Sequence, residues 1–219
     1  MKTELIPSYL WRLIRLTIAF MAFGLANTMM INAAIGSSSW VALNQGLALH
    51  LPLTVGQANT AVGLVIIAID FLMREPIGIG TFMNAVLIGQ FNDMWTAMGI
   101  FPTPDTYIMR LVLLLASLFL SAGASVLYMG AAMGCGPRDT LMVMINKKIE
   151  KLTMGQVIII VSVIVLAVSW LLGAPVGLGT VICFTLQGTV TDIVQKALHF
   201  KPTKVKHENM LDTLRNLRK

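Results

Sequence analysis

The sequence predicts an all-α polytopic membrane protein with six transmembrane helices arranged as an inverted 3+3 repeat. Each half carries a short broken or amphipathic helix after its first span. Three observations lead there. Of the 219 residues 56% are hydrophobic and 12% charged, with a mean hydropathy of +0.79, whereas a soluble domain of this size is about a quarter charged. Residues 53–93 align without a gap on residues 152–192 at an offset of 99, with 14 identities in 41 positions. Finally, a six-span path with a cytoplasmic N-terminus leaves fifteen of the sixteen Lys and Arg residues on the cytoplasmic side, the asymmetry that orients membrane proteins.

Taken in order, the first span is Leu16–Ala34, an apolar stretch too long for a signal-peptide core and therefore read as a retained helix. IGSSSW then breaks the pattern and a short segment follows, Ser37–His50. LTVGQ opens the second span, Val55–Met73: Thr54 and Gln57 have the spacing of a capping box, in which the hydroxyl accepts from an early helix N–H and the glutamine reaches back. PIGIGT, with Gly78, Gly80 and Thr81, reads as a tight turn into the third span, Gly80–Trp95. Proline stops one helix, threonine can cap the next, and Gly80 lets helices approach closely.

The second half repeats this grammar. Its spans are Tyr107–Met133, Met154–Leu172 and Thr180–Leu198, with Thr153 and Gln156 as the second capping box. PVGLGT, with Gly177, Gly179 and Thr180, forms the second turn. With a one-residue slip, IGSSSWVALNQGL (35–47) falls on MGCGPRDTLMVMI (133–145), so that Gly136–Ile149 is the second short segment and Trp40 the counterpart of Arg138. The units are thus a first repeat over 1–100, a second over 101–198 and a basic tail over 199–219. Three spans per half is an odd number, which forces the second half to enter from the opposite side and puts both termini in the cytoplasm. In such folds, short Gly/Pro-interrupted segments at matched positions are the best sequence pointer to a binding site, because helix N-termini there bring free N–H groups and the positive dipole end toward a shared midplane.

GCGPRDTLM carries the most chemistry. Gly136 as N-cap, Pro137 at the first helical position and Asp139 at the third make a good helix start. Arg138 is not explained that way, since a cation is disfavoured at the positive end of a helix. Ionisable residues inside spans are functional candidates by default. Asp70 has a simple explanation in an i, i+4 pair with Arg74. Asp93 and Asp192 occupy equivalent positions near the ends of the third spans, and a contact of Asp192 with Arg138 is one expectation. Asn84 and Cys183 are likewise equivalent.

The Gly-x-Gly-Pro-Arg-Asp-x-Leu-Met run at GCGPRDTLM, with GIGTFMNAVLIGQFND, resembles the YczE/YyaS/YitT family of small bacterial integral membrane proteins from about Leu16 to Val194. The resemblance implies a bacterial cytoplasmic membrane and a transport-related role. Where that family tends to Pro-Trp-Asp and then Gln-Gly, this chain has Ser39-Trp40-Val41 and then Gln45-Gly46, so the first half lacks the aspartate.

The leading expectation is a small permease working by alternating access. Arg138 attracts an anionic group, Asp139 orients it or caps the helix, Trp40, Asn44 and Gln45 line the outer approach, and Asp93, Asp139 or Asp192 couple protons. The alternative is a membrane-embedded substrate-binding or accessory subunit of a larger complex. The expected partners are the lipid bilayer, a small-molecule or ion substrate, and a second copy or another membrane protein. The basic charge lies beside spans, where it orients the chain or touches anionic lipid, and no nucleic-acid role is expected. No enzyme, cofactor or metal is expected: Cys135 and Cys183 have no paired spacing, and His50, His199 and His207 are dispersed.

Overall fold

The computed structural model describes residues 2–149, 151–201, 205, 208–210, 213 and 215. Among them are eight α-helices: α1 Lys2–Asn32, α2 Ser39–His50, α3 Val55–Leu72, α4 Ile79–Met98, α5 Tyr107–Gly130, α6 Pro137–Lys148, α7 Met154–Leu171 and α8 Leu178–Ala197. Four contain stretches long and apolar enough to cross a membrane, Tyr9–Asn32, Val55–Leu72, Tyr107–Gly130 and Met154–Leu171. This is a multi-pass all-α membrane protein. The other two expected spans, α4 and α8, have the length at 20 residues each. They fall short in hydropathy because Asn84, Asn92 and Asp93, or Thr185, Gln187 and Asp192, interrupt their apolar residues.

Helix starts follow from local chemistry. Both capping boxes form: the Gln57 and Gln156 amides donate to the Thr54 and Thr153 hydroxyls at 3.0 and 3.3 Å, and each glutamine carbonyl accepts from its threonine N–H at 3.0 and 2.9 Å. In α4 and α8 the glycine is the N-cap and the threonine stands at the third helical position. Its hydroxyl accepts from the glycine N–H, at 3.2 Å for Gly78–Thr81 and 3.3 Å for Gly177–Thr180.

The breaks after α1 and α5 turn alike. Ala34 and Ala132 take φ 51° and 57°, and Gly36 and Gly134 take φ 105° and 119°, a region that glycine enters without steric cost. Each break docks on the Gly-x-Gly-Thr turn of the other half. The Gly80 amide donates to Met133 O at 2.8 Å and the Thr81 hydroxyl to Cys135 O at 2.5 Å, while the Gly179 amide donates to Ile35 O at 2.7 Å. A Cβ on Gly179 would lie 2.7 Å from Gly36 O. The turn glycines are therefore the surface on which the opposite break rests, and the halves interlock.

Packing reflects the same crossing. α1 packs on α4 and α5, α5 on α8, α2 on α3 and α7, and α6 on α3 and α7. One apolar cluster joins Met30, Ala33 and Ile35 to Leu114, Leu118 and Cys183; another joins Leu16, Ala19 and Phe20 to Ile88, Tyr128 and Met133. Contacts also sort the ends of the molecule. Arg12 meets Glu208 at 2.8 Å, and Glu208 N donates to Ala132 O at 2.9 Å, so the start of α1, the end of α5 and the tail lie together. Asn32 donates to Phe101 O at 2.6 Å, and Thr54 donates to Asp93, at the other end.

The i, i+4 pair expected of Asp70 and Arg74 does not form. α3 stops at Leu72, and Arg74 stands exposed beyond it with φ 61°, off the helix that would have aligned the two. Asp70 is fully buried, and neither carboxylate oxygen has a hydrogen-bond partner.

Candidate functional site

The two short helices are inserted into the bundle rather than laid along its outside. Ser39, Val41, Ala42, Asn44 and Gly46 of α2 are buried, as are Pro137, Thr140, Met142 and Met144 of α6. The two N-terminal turns meet: the Arg138 guanidinium lies over the Trp40 ring at 4.8 Å from its centroid. These are the residues that the internal duplication makes equivalent.

Asn59, in the second turn of α3, holds the pair together. Its side-chain oxygen accepts from Arg138 Nη2 at 2.7 Å and from Asn44 Nδ2 at 3.0 Å. Asn44 Oδ1 is buried with no hydrogen-bond partner. The ion pairs among the described residues are Arg12–Glu208 and Lys147–Glu75, and Arg138 is in neither. The guanidinium is thus held by a neutral amide and an aromatic face rather than by a salt bridge, and Asp139, next in the chain, is the carboxylate that interacts with it electrostatically.

Below this centre, Gly136 is ringed by polar groups. A Cβ there would lie 3.0 Å from Asp139 Oδ2, 3.5 Å from the Tyr128 hydroxyl and 3.7 Å from Asn84 Nδ2. The Tyr128 hydroxyl is buried and has no partner. Asp139 is exposed. Above the centre, Asn27, Asn44, Asn59 and Asn92 line a polar cleft too narrow for a water molecule.

The structure thus brings together Arg138, Trp40 and Asn44, with Asp139 and Asn84 beside them. Gln45 turns aside to accept from the Ser37 hydroxyl at 2.8 Å. Asp93 lies apart and joins two helix ends: it accepts from the Thr54 hydroxyl and, at 2.9 Å, from the Gly56 amide. Asp192 is exposed, and the contact expected between it and Arg138 is replaced by the contacts of Arg138 with Asn59 and Trp40. Cys183, the counterpart of Asn84, packs against Met30 in an apolar cluster. Asn59 was not singled out from the sequence. The available signal was an amide inside an apolar span, five residues after a helix cap. Among the described residues no group of three His, Cys, Asp or Glu side chains is placed to hold a metal.

A family model described as a family of unknown function, DUF6198, matches residues 10–196. The chain is 31% identical over 195 residues to an uncharacterized membrane protein, YczE, of Bacillus subtilis, with 87% of this chain and 86% of that one covered. It is 27% identical over 194 residues to an uncharacterized protein of Haemophilus influenzae, with 86% and 88% covered. No solved structure matches it.

Proposed function

We propose, from the premise that the chain belongs to the DUF6198 family with YczE-like membrane proteins, that it is a small permease for an anionic solute. It is not read as an enzyme. The observation that carries the proposal is Arg138, in no salt bridge among the described residues and stacked on Trp40 where two short-helix N-termini meet. That geometry favours a carboxylate or phosphate-type group, which accepts from a guanidinium and from helix N–H groups alike. The unpartnered Asn44 Oδ1 fits a solute that also carries an N–H or O–H donor.

On this reading the chain has six spans, with α4 and α8 crossing as polar-lined helices, and the two halves are an inverted repeat in the cytoplasmic membrane with both termini inside. The packing supports it: α1 on α4 recurs as α5 on α8, α2 on α7 as α6 on α3, and α2 on α3 as α6 on α7. The test is flux of small anions into proteoliposomes of the purified protein, under imposed ion gradients. Arg138→Ala is expected to abolish uptake of the transported anion with little loss of folded protein. Full uptake by that variant overturns the assignment and reduces GPRD to a helix start.

A second reading, an accessory subunit of a larger membrane complex, draws on α7. Only 11% of its span residues are buried, against 44% in α1. Co-purification of a stoichiometric membrane partner, together with no flux by the isolated chain, would favour it.

A further inference from the structure

The two halves are alike in sequence at one device and unlike in its state. In the first half, α3 and α4 close on each other at one end. Gly56 and Gly89 bring the backbones together so tightly that a Cβ on Gly89 would clash with Gly56 O, and one on Gly56 with Gly89 O. Asp93, one turn beyond Gly89, accepts from the Thr54 hydroxyl and the Gly56 amide. Further along, a Cβ on Gly63 would lie 2.8 Å from the Ala85 Cβ. The polar cleft leading from Asn59 past Val55 and Asn92 toward this end is shut even to water.

The duplication supplies the same four residues in the second half: Thr153, Gly155, Gly188 and Asp192. There they touch nothing of each other. A Cβ on Gly155 or on Gly188 meets no atom within 4 Å, Asp192 is exposed, and α7 and α8 share no packed face like that of α3 and α4. The Thr153 hydroxyl serves only its own helix cap. Glycine is less favourable than alanine inside a helix, and Gly155 and Gly188 make no close backbone contact here that would call for it. Thr54, Gly56, Gly89 and Asp93 recur unchanged in the second half, whereas Gly63 and Ala85, which pack α3 on α4 further along, are answered by Ser162 and Phe184.

We propose that Thr54, Gly56, Gly89 and Asp93 form one latch and Thr153, Gly155, Gly188 and Asp192 a second. The two latches close alternately over opposite ends of the central site. This structure has the first shut and the second open, and Asp192 captures the Thr153 hydroxyl and the Gly155 amide when the second closes. The proposal rests on the permease reading and on the inverted topology, which sets the first latch at the outer face and the second at the cytoplasmic face.

The test is paired-label electron resonance on the full chain in proteoliposomes. Labels are carried by genetically encoded residues, so that Cys135 and Cys183 stay in place. Leu53 with Ala97 reports the first latch, and the equivalent Leu152 with Lys196 the second. Two populations are expected, short with long and long with short, anticorrelated between the pairs. Asp93→Asn shifts both pairs toward the first latch open. Gly188→Leu, placed where the open state has room for it, removes the short Leu152–Lys196 population without unfolding the chain, and abolishes flux. A single long Leu152–Lys196 distance in the wild type and in Asp93→Asn overturns the latch, and flux in the same vesicles would then leave the permease reading standing. Exchange of distances without movement of any solute removes the permease reading and leaves the latch.

Discussion

Arg138 occupies the position on a helix where its charge is least welcome, and Asp139 beside it interacts with that charge without forming a salt bridge. Stacking on Trp40 and the bond to Asn59 hold the guanidinium in place while leaving it available to an incoming anion. Lysine at this position keeps the charge and loses the planar stack, so Arg138→Lys is expected to retain a fraction of the flux that Arg138→Ala loses entirely. Thr81 is a second single residue with two duties. Its hydroxyl accepts from Gly78 N at 3.2 Å and donates to Cys135 O at 2.5 Å, tying the start of α4 to the break before α6. Thr81→Val leaves both groups unpaired in a buried place, at about 1–3 kcal/mol each. Thr180, its counterpart, accepts from Gly177 at 3.3 Å, and among the described residues it has no bond to Ser37 O, the equivalent of Cys135 O. Thermal melting in detergent should therefore fall further for Thr81→Val than for Thr180→Val; equal losses would show that Thr81 is only a cap.

Four helix starts were legible because their signals are local, whereas α1, expected from Leu16, begins at Lys2, its first turns carrying the charges of Arg12 and Arg15 that interrupt an apolar reading. The two Thr-x-x-Gln boxes fixed the starts of α3 and α7, and the Gly/Pro turns fixed those of α4 and α8 to within two residues. Which turn meets which break was not legible, because the contacts of Met133 O with Gly80 and of Ile35 O with Gly179 join residues far apart in sequence and leave no local pattern. For the site, the duplication paired Trp40 with Arg138 but gave no indication that the guanidinium would stack on the indole ring, and Asn59 carried no motif. The tail is another element whose docking is long-range. Read from the sequence as a basic tail, it meets the bundle at two backbone bonds: Glu208 N donates to Ala132 O at 2.9 Å and Met210 N to Ile77 O at 3.0 Å. Burial alone would raise the Glu208 carboxyl, but bonds from Arg12 at 2.8 Å, Tyr9 at 2.9 Å and Thr213 at 3.4 Å outweigh it and hold the group below the ordinary glutamate value. A carboxyl depressed in the docked state stabilises docking above the free glutamate value, and that contribution is lost as pH falls through the docked one. A spin label at Met210 should be immobilised at neutral pH and gain mobility on acidification, whereas Glu208→Gln should be mobile already at neutral pH. A label equally immobile in both chains at all pH values would mean that the backbone bonds alone dock the tail.

At the scale of the molecule, the proposed six-span path turns on α4 and α8 crossing the bilayer. By apolar length alone the chain has four spans, and in that arrangement the α3–α4 turn and the segment before α5 lie on the same side, because α4 returns without crossing. The contacts argue for six. α4 runs from the turn at Gly78, beside Met133 and the tail, to Asp93, beside Thr54, so its two ends lie at opposite ends of the molecule. Asn92 in its middle turns is buried and meets the Thr28 hydroxyl at 3.2 Å, while Gln90 is exposed. A helix whose polar groups are satisfied by neighbouring spans crosses at little cost despite a modest hydropathy. Single cysteines at Glu75 and Thr103, in chains where Cys135 and Cys183 are replaced by serine, separate the two arrangements. With a membrane-impermeant maleimide on right-side-out cells, six spans predict labelling at Thr103 and protection at Glu75, reversed in inside-out vesicles. Labelling of both positions from the same side would place α4 on the surface of the membrane. The inverted relation of the halves would fall with it, since α8 is the copy of α4 and an even number of crossings per half leaves both halves entering from the same side.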